Sequence, residues 1–125
     1  MEFRDLMKAV NELAFVKDEV MAEAAVKAVL GVLASRLEEE VAKEFVESLP
    51  EPFDFETLRG EQVEVTDLSV QQYRNTIADQ FNLELDDAWQ LVRTVLYMVR
   101  DGFSDEVIED LQDTLPSDWQ RLLQI

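Results

Sequence analysis

The amino-acid sequence predicts an all-α fold in which two pseudo-equivalent three-helix repeats form one compact helical bundle, and three observations predict it. Breakers are scarce: three Gly and three Pro in 125 residues are too few turn signals for a many-stranded β fold. Apolar residues recur at the three- and four-residue spacing that lines one face of a helix. The dipeptide Leu49-Pro50 returns as Leu115-Pro116, 66 residues later, within a segment of matching apolar register.

Under that 66-residue shift no gap is needed from Phe15 to Thr57. Phe15 falls on Phe81, Ala22 on Ala88, Val26 on Val92, and Val29-Leu30 on Val95-Leu96. Further on, Glu40-Val41 falls on Glu106-Val107, Phe45 on Leu111 and Phe53 on Trp119. Identities and size-conserving swaps occupy apolar positions, so the halves are expected to share a fold. This places repeat one at 3–57, a linker at 58–67 and repeat two at 68–125, all within a single domain, the default for 14.4 kDa.

The first helix of repeat one is read from Phe3, Leu6 or Met7, Val10 and Leu13, answered in repeat two by Val70, Tyr73, Ile77 and Phe81 behind a Ser69 or Asp67 cap. The second helix carries Ala22, Ala25, Val26, Val29, Leu30 and Leu33 on one stripe; its twin carries Ala88, Leu91, Val92, Val95, Leu96 and Val99. Asp18 and Glu19, and likewise Asp86 and Asp87, place negative charge in the first turn, where unbonded N–H groups favour it. Arg36 and Arg100 stand near the helix ends, where a cation suits the last carbonyls, and Asp101-Gly102 is expected to supply a left-handed stop. The third helix buries Val41, Ala42, Phe45, Val46 and Leu49, or, behind a Ser104 cap, Val107, Ile108, Leu111 and Leu115. Proline then ends each one, since it cannot extend a helix that needs its N–H. Pro52 to Thr66 reads as a short turn plus linker, with Val63-Glu64-Val65 inclined to extend, and Trp119, Leu122, Leu123 and Ile125 as a last turn docking on the bundle.

Trp89, Tyr97 and Met98 widen the apolar stripe of the second repeat's central helix well beyond one face. Such a helix is either wrapped by neighbours, the preferred reading, or offers a flank to a partner; these three residues are the candidate partner surface.

The run Ala22-x-x-Ala25-Val26-x-x-Val29-Leu30-x-x-Leu33-x-x-Arg36-Leu37, with Leu49-Pro50 beyond it, resembles a bacterial family, the domain of unknown function 2267. Arg100-Asp101-Gly102-Phe103-Ser104-Asp105 through Asp110-Leu111 to Leu115-Pro116 is similar to that family's second repeat. The resemblance implies a two-repeat helical domain and brings no activity or catalytic residues with it.

Acids outnumber bases 28 to 11, a net charge of −17. The excess is spread: Met1 to Thr66 carries 16 acids and 7 bases, net −9, and the remainder 12 acids and 4 bases, net −8. Phosphate backbones and anionic membranes would be repelled, so neither nucleic acid nor membrane is an expected partner. An acidic face suits solubility or a basic protein partner. Met1 to Phe15 is amphipathic and lacks a signal peptide's apolar core, and the longest wholly apolar run, Ala28 to Ala34, falls far short of the roughly 20 residues that span a bilayer. The expected location is the cytoplasm.

Chemistry is bounded by what is missing. With no His and no Cys there is no Ser-His-Asp or Cys-His arrangement and no sulfur ligand for a metal. Glycines only at 31, 60 and 102 make no phosphate loop. Paired carboxylates are left: Glu61-x-x-Glu64 with Glu84-x-x-Asp87, or Glu44-x-x-Glu47 with Glu64-x-x-Asp67, spaced as in Mg²⁺-dependent helical pyrophosphohydrolases. In a chain with 16 Glu and 12 Asp such pairs arise by chance, and one pair of each set falls in the expected linker. Asp101 to Glu106 lacks the alternating ligands of a calcium loop. The expectation is therefore a non-enzymatic interaction or assembly module that binds a protein partner or its own copies and needs no cofactor or metal. A carboxylate-metal hydrolase is the alternative, and an acidic DNA mimic ranks below it.

Overall fold

The computed structural model describes residues 2–51, 53–59 and 67–125, and every regular element among them is an α-helix. In chain order these are α1 (Phe3–Asn11), α2 (Glu19–Ser35), α3 (Glu39–Glu47), α4 (Phe55–Arg59), α5 (Val70–Phe81), α6 (Leu85–Arg100), α7 (Asp105–Thr114) and α8 (Ser117–Leu123). The side chains of Asp18, Ser69 and Ser104 accept from the backbone N–H of Met21, Gln72 and Val107, and Gln72 completes a capping box on Ser69. Leu115 is extended (φ −90°, ψ 143°), as the residue before a proline must be, and α7 ends there.

The two predicted stripes are buried in full, Ala22 to Leu33 on α2 and Ala88 to Val99 on α6, and these helices pack on each other at the centre. Around them α1 touches both, α5 touches both, and α3 meets α7 across the molecule. The buried side chains of all these helices form one hydrophobic cluster. Burying such apolar surface is what offsets the entropy of ordering the chain.

Several expectations change. Each half carries a fourth short helix after its Leu-Pro, α4 in what was read as a short turn and linker and α8 in the last turn. α4 packs on α2 and α3, and just before it Phe53 is buried with its ring 5.3 Å from that of Phe3, edge to face. The Val63-Val65 stretch lies outside the described residues. Gly102 does not turn left-handed. Asp101 keeps a helical φ of −62°, and the helix closes with tight bonds from the Gly102 N–H to Val99 O and from the Phe103 N–H to Arg100 O, which carry Phe103 into the core beside Phe45. Among the described residues the left-handed ones are Asn82 after α5 and Gln124 after α8. Arg36 and Arg100 reach past their own helix ends: Arg36 Nε donates to Leu68 O at 3.1 Å and Arg100 Nη1 to Leu123 O at 3.1 Å.

Candidate functional site

Two places on this frame carry more than packing. The first is the outer flank of α6. Trp89, Arg93 and Tyr97 follow at four-residue spacing, so they form a stripe on one side of the helix. The helix is central, with α1, α2, α5 and α8 packed on it, yet Trp89 and Tyr97 are only half-buried, and they line a shallow hollow of about 500 Å³ with Asp86, Gln90, Arg93 and Thr94. Met98 is half-buried too and, like Trp89, packs against the core, but it does not line this hollow. Guanidinium groups lie on the ring faces: Arg74 from α5 at 5.7 Å and Arg93 at 5.3 Å from Trp89, and Arg100 at 5.6 Å from Tyr97. Although acids outnumber bases 28 to 11, neither Arg74 nor Arg93 makes an ion pair among the described residues.

The second is where α3 meets α7. There Glu44 is brought together with Glu106 and Asp110, one carboxylate oxygen of each lying within 4.8 Å of the others. Oε2 of Glu44 is shielded from solvent and finds no hydrogen-bond partner. The Glu44 carboxyl is pushed up to about 7, first by a hydrogen bond to the Asp110 carboxyl, then by desolvation, then by the negative charges of Asp110, Glu106 and Glu40. A hydrogen bond between two carboxyls needs a proton on one of them, so the group holds a proton close to neutral pH. The same oxygens could ligate a divalent cation, which takes oxygen donors of this kind.

Glu44 had been singled out with Glu47 as a metal pair, but its neighbours come from α7, and Glu47 only lines the adjoining hollow. Glu84 and Asp87 sit at the start of α6 in no such grouping among the described residues, Asp67 likewise joins none, and Glu61 and Glu64 lie outside the described residues. The signal that would have found the trio is the 66-residue shift itself, which lays Glu40 on Glu106 and Glu44 on Asp110.

Among the described residues, no helix is long and apolar enough to cross a membrane. Comparison with curated proteins finds no match, and comparison with solved structures finds none. A family model described as "Uncharacterized conserved protein (DUF2267)" matches residues 3–122. Those residues are nearly the whole chain and include every helix from α1 to α7, so the protein belongs to the domain of unknown function 2267 family.

Proposed function

We propose that this protein is a protein-interaction or assembly module of the cytoplasm, without catalytic activity, built from a duplicated helical unit and meeting its partner through the outer flank of α6. The duplication is supported by element positions: α2 and α6 begin 66 residues apart, at Glu19 and Leu85, and so do α3 and α7, at Glu39 and Asp105.

One observation carries the functional reading. At the stations of Trp89 and Tyr97 the first half has Glu23 and Gly31, on a helix that buries the same stripe. Around Gly31 the space is taken, because a Cβ there would lie 3.1 Å from the backbone oxygen of Leu58 in α4. Around Tyr97 the position is half-open. Packing α6 therefore does not by itself call for large aromatics at these stations. Trp, Tyr and Arg clustered on an accessible face are the residue types that concentrate binding energy at interfaces; the two rings bury much area at little rotamer cost, and the guanidinium adds a planar fork of donors. Met98 answers Val32 and is an ordinary packing residue by the same comparison. The acidic remainder of the surface, at net −17, disfavours nucleic acid and favours a protein with basic residues around an apolar patch.

The carboxylate-metal hydrolase has the Glu44 trio on its side, yet a shared proton accounts for the same geometry without an ion. The test is affinity capture with the full chain, comparing wild type with Trp89→Glu/Tyr97→Ala. The same polypeptides should be retained by wild type and lost by the variant at unchanged helicity. Equal capture by both proteins, or none by either together with a one-chain mass at all concentrations, removes the reading.

A further inference from the structure

Along α1, Arg4, Lys8 and Glu12 fall at four-residue spacing, so one stripe of that helix runs from basic to acidic. Beside it stand Glu19, Val20 and Glu23 of α2, and between the helices lies an open groove of about 830 Å³, lined also by Phe3 and Met7. Val20 is 78% exposed, more than any other large apolar side chain among the described residues. It projects from the first turn of α2, and among the described residues nothing covers it. In the second half the equivalent seam is occupied, since Trp89 stands at the station of Glu23 and lies against Arg74 of α5.

The charged side chains lining the groove are two cations, Arg4 and Lys8, and three carboxylates, Glu12, Glu19 and Glu23, a net −1 on a chain of net −17. Two copies therefore repel each other unusually little through this face. A two-fold contact needs a surface complementary to itself. An apolar side chain protruding beside an apolar groove, with opposite charges at the two ends of the stripe, meets that requirement.

We propose that the α1–α2 groove is a two-fold interface with a second copy of this chain. Val20 of each copy seats against Phe3 and Met7 of the other, and the basic end of each α1 lies over the acidic end of its partner. This surface is separate from the α6 flank and stands or falls independently of it.

Sedimentation equilibrium of the full chain tests the proposal, at about 0.15 M ionic strength, where screening over about 8 Å leaves mainly local charges to act. Wild type should pass from one-chain to two-chain mass as concentration rises. Val20→Glu should weaken association at least about tenfold, and Arg4→Glu/Lys8→Glu should do the same. The fourfold exchange Arg4→Glu/Lys8→Glu/Glu12→Lys/Glu19→Lys reverses the polarity of both ends together and should restore it. All these side chains are exposed, so circular dichroism should not change, and if Val20→Glu alone perturbs the fold the charge exchanges still decide. A wild type that keeps its one-chain mass to millimolar concentration, a dimer indifferent to Val20→Glu, or a fourfold exchange that fails to restore association overturns the proposal. Each would leave partner capture through Trp89 untouched.

Discussion

The two tryptophans of this chain divide its residues into those the bundle needs and those it does not. Trp119 on α8 is fully buried, stacked on Tyr73 with ring centroids 4.9 Å apart, and its indole N–H donates to Leu68 O at 3.0 Å. Tyr73 is fully buried as well; its hydroxyl donates to Val29 O on α2, and burial holds that phenol well above its usual range. Together they tie α8 and α5 to the central helix, with both polar handles satisfied as burial demands. Trp89 on α6 is half-buried, packs against the edge of the core, and carries Arg74 and Arg93 on its ring faces, with no hydrogen bond from its indole among the described residues. An aromatic side chain with its whole surface inside and its polar atom bonded is structural. One at the rim, occupying a station where the other half has Glu23, is what the proposed partner contact would use.

The largest expected effect sharpens that contrast from the buried side. Trp119→Ala should lose about 3–5 kcal/mol, the usual cost of emptying a large aromatic site in a core. Denaturant midpoints at constant slope would measure it, and a loss below about 1.5 kcal/mol would place Trp119 among the dispensable residues.

The carboxylate group at α3 and α7 is a third class, residues whose charges oppose the fold. With Glu44 raised to about 7, the folded protein holds a proton that the unfolded chain, near 4.5, has already released. That contribution to stability is fully present below the unfolded value and is lost as pH rises through about 7. The chain has no His and no Cys, the side chains whose ordinary values fall between those of carboxylates and amines. Unfolding free energy should therefore fall from pH 6 to pH 8 in wild type, and Glu44→Gln should flatten the fall. A wild type already flat over that range would contradict the shared proton.

The smallest effect concerns Gly102. Because its φ is not left-handed and an added Cβ would meet only Val99 O at 3.5 Å and Ser48 O at 3.8 Å, Gly102→Ala should stabilise by about 0.4–1 kcal/mol through the unfolded chain. A true left-handed stop would instead be destabilised, and thermal melting tells the two apart.

What could be read in advance follows from range. The α2 and α6 stripes, the Ser104 cap and the breaks at Pro50 and Pro116 depend on neighbours within a turn or two and are legible, whereas Asp18, expected inside the first turn, stands one step earlier as the cap. α4 is five residues long, too short for periodicity to register, and its packing on α2 is a contact between residues far apart in the sequence. The destinations of Arg36 and Arg100, and the meeting of Glu44 with Glu106 and Asp110, depend on which helices become neighbours. For Trp89, Tyr97 and Met98 the sequence shows a stripe wider than one face, but an apolar count cannot tell which of those side chains the neighbouring helices cover, and the structure leaves all three half-buried on a helix packed by α1, α2, α5 and α8.

The account rests on Trp89 and Tyr97 being surplus to the bundle, and the most direct measurement is the unfolding free energy of Trp89→Glu/Tyr97→Ala beside that of wild type. Stability within about 1.5 kcal/mol of wild type is the expected result, since such changes act on a surface rather than a core. A loss of about 3 kcal/mol or more, in the range of an emptied core aromatic, would show that the flank holds the fold together and contradict the account.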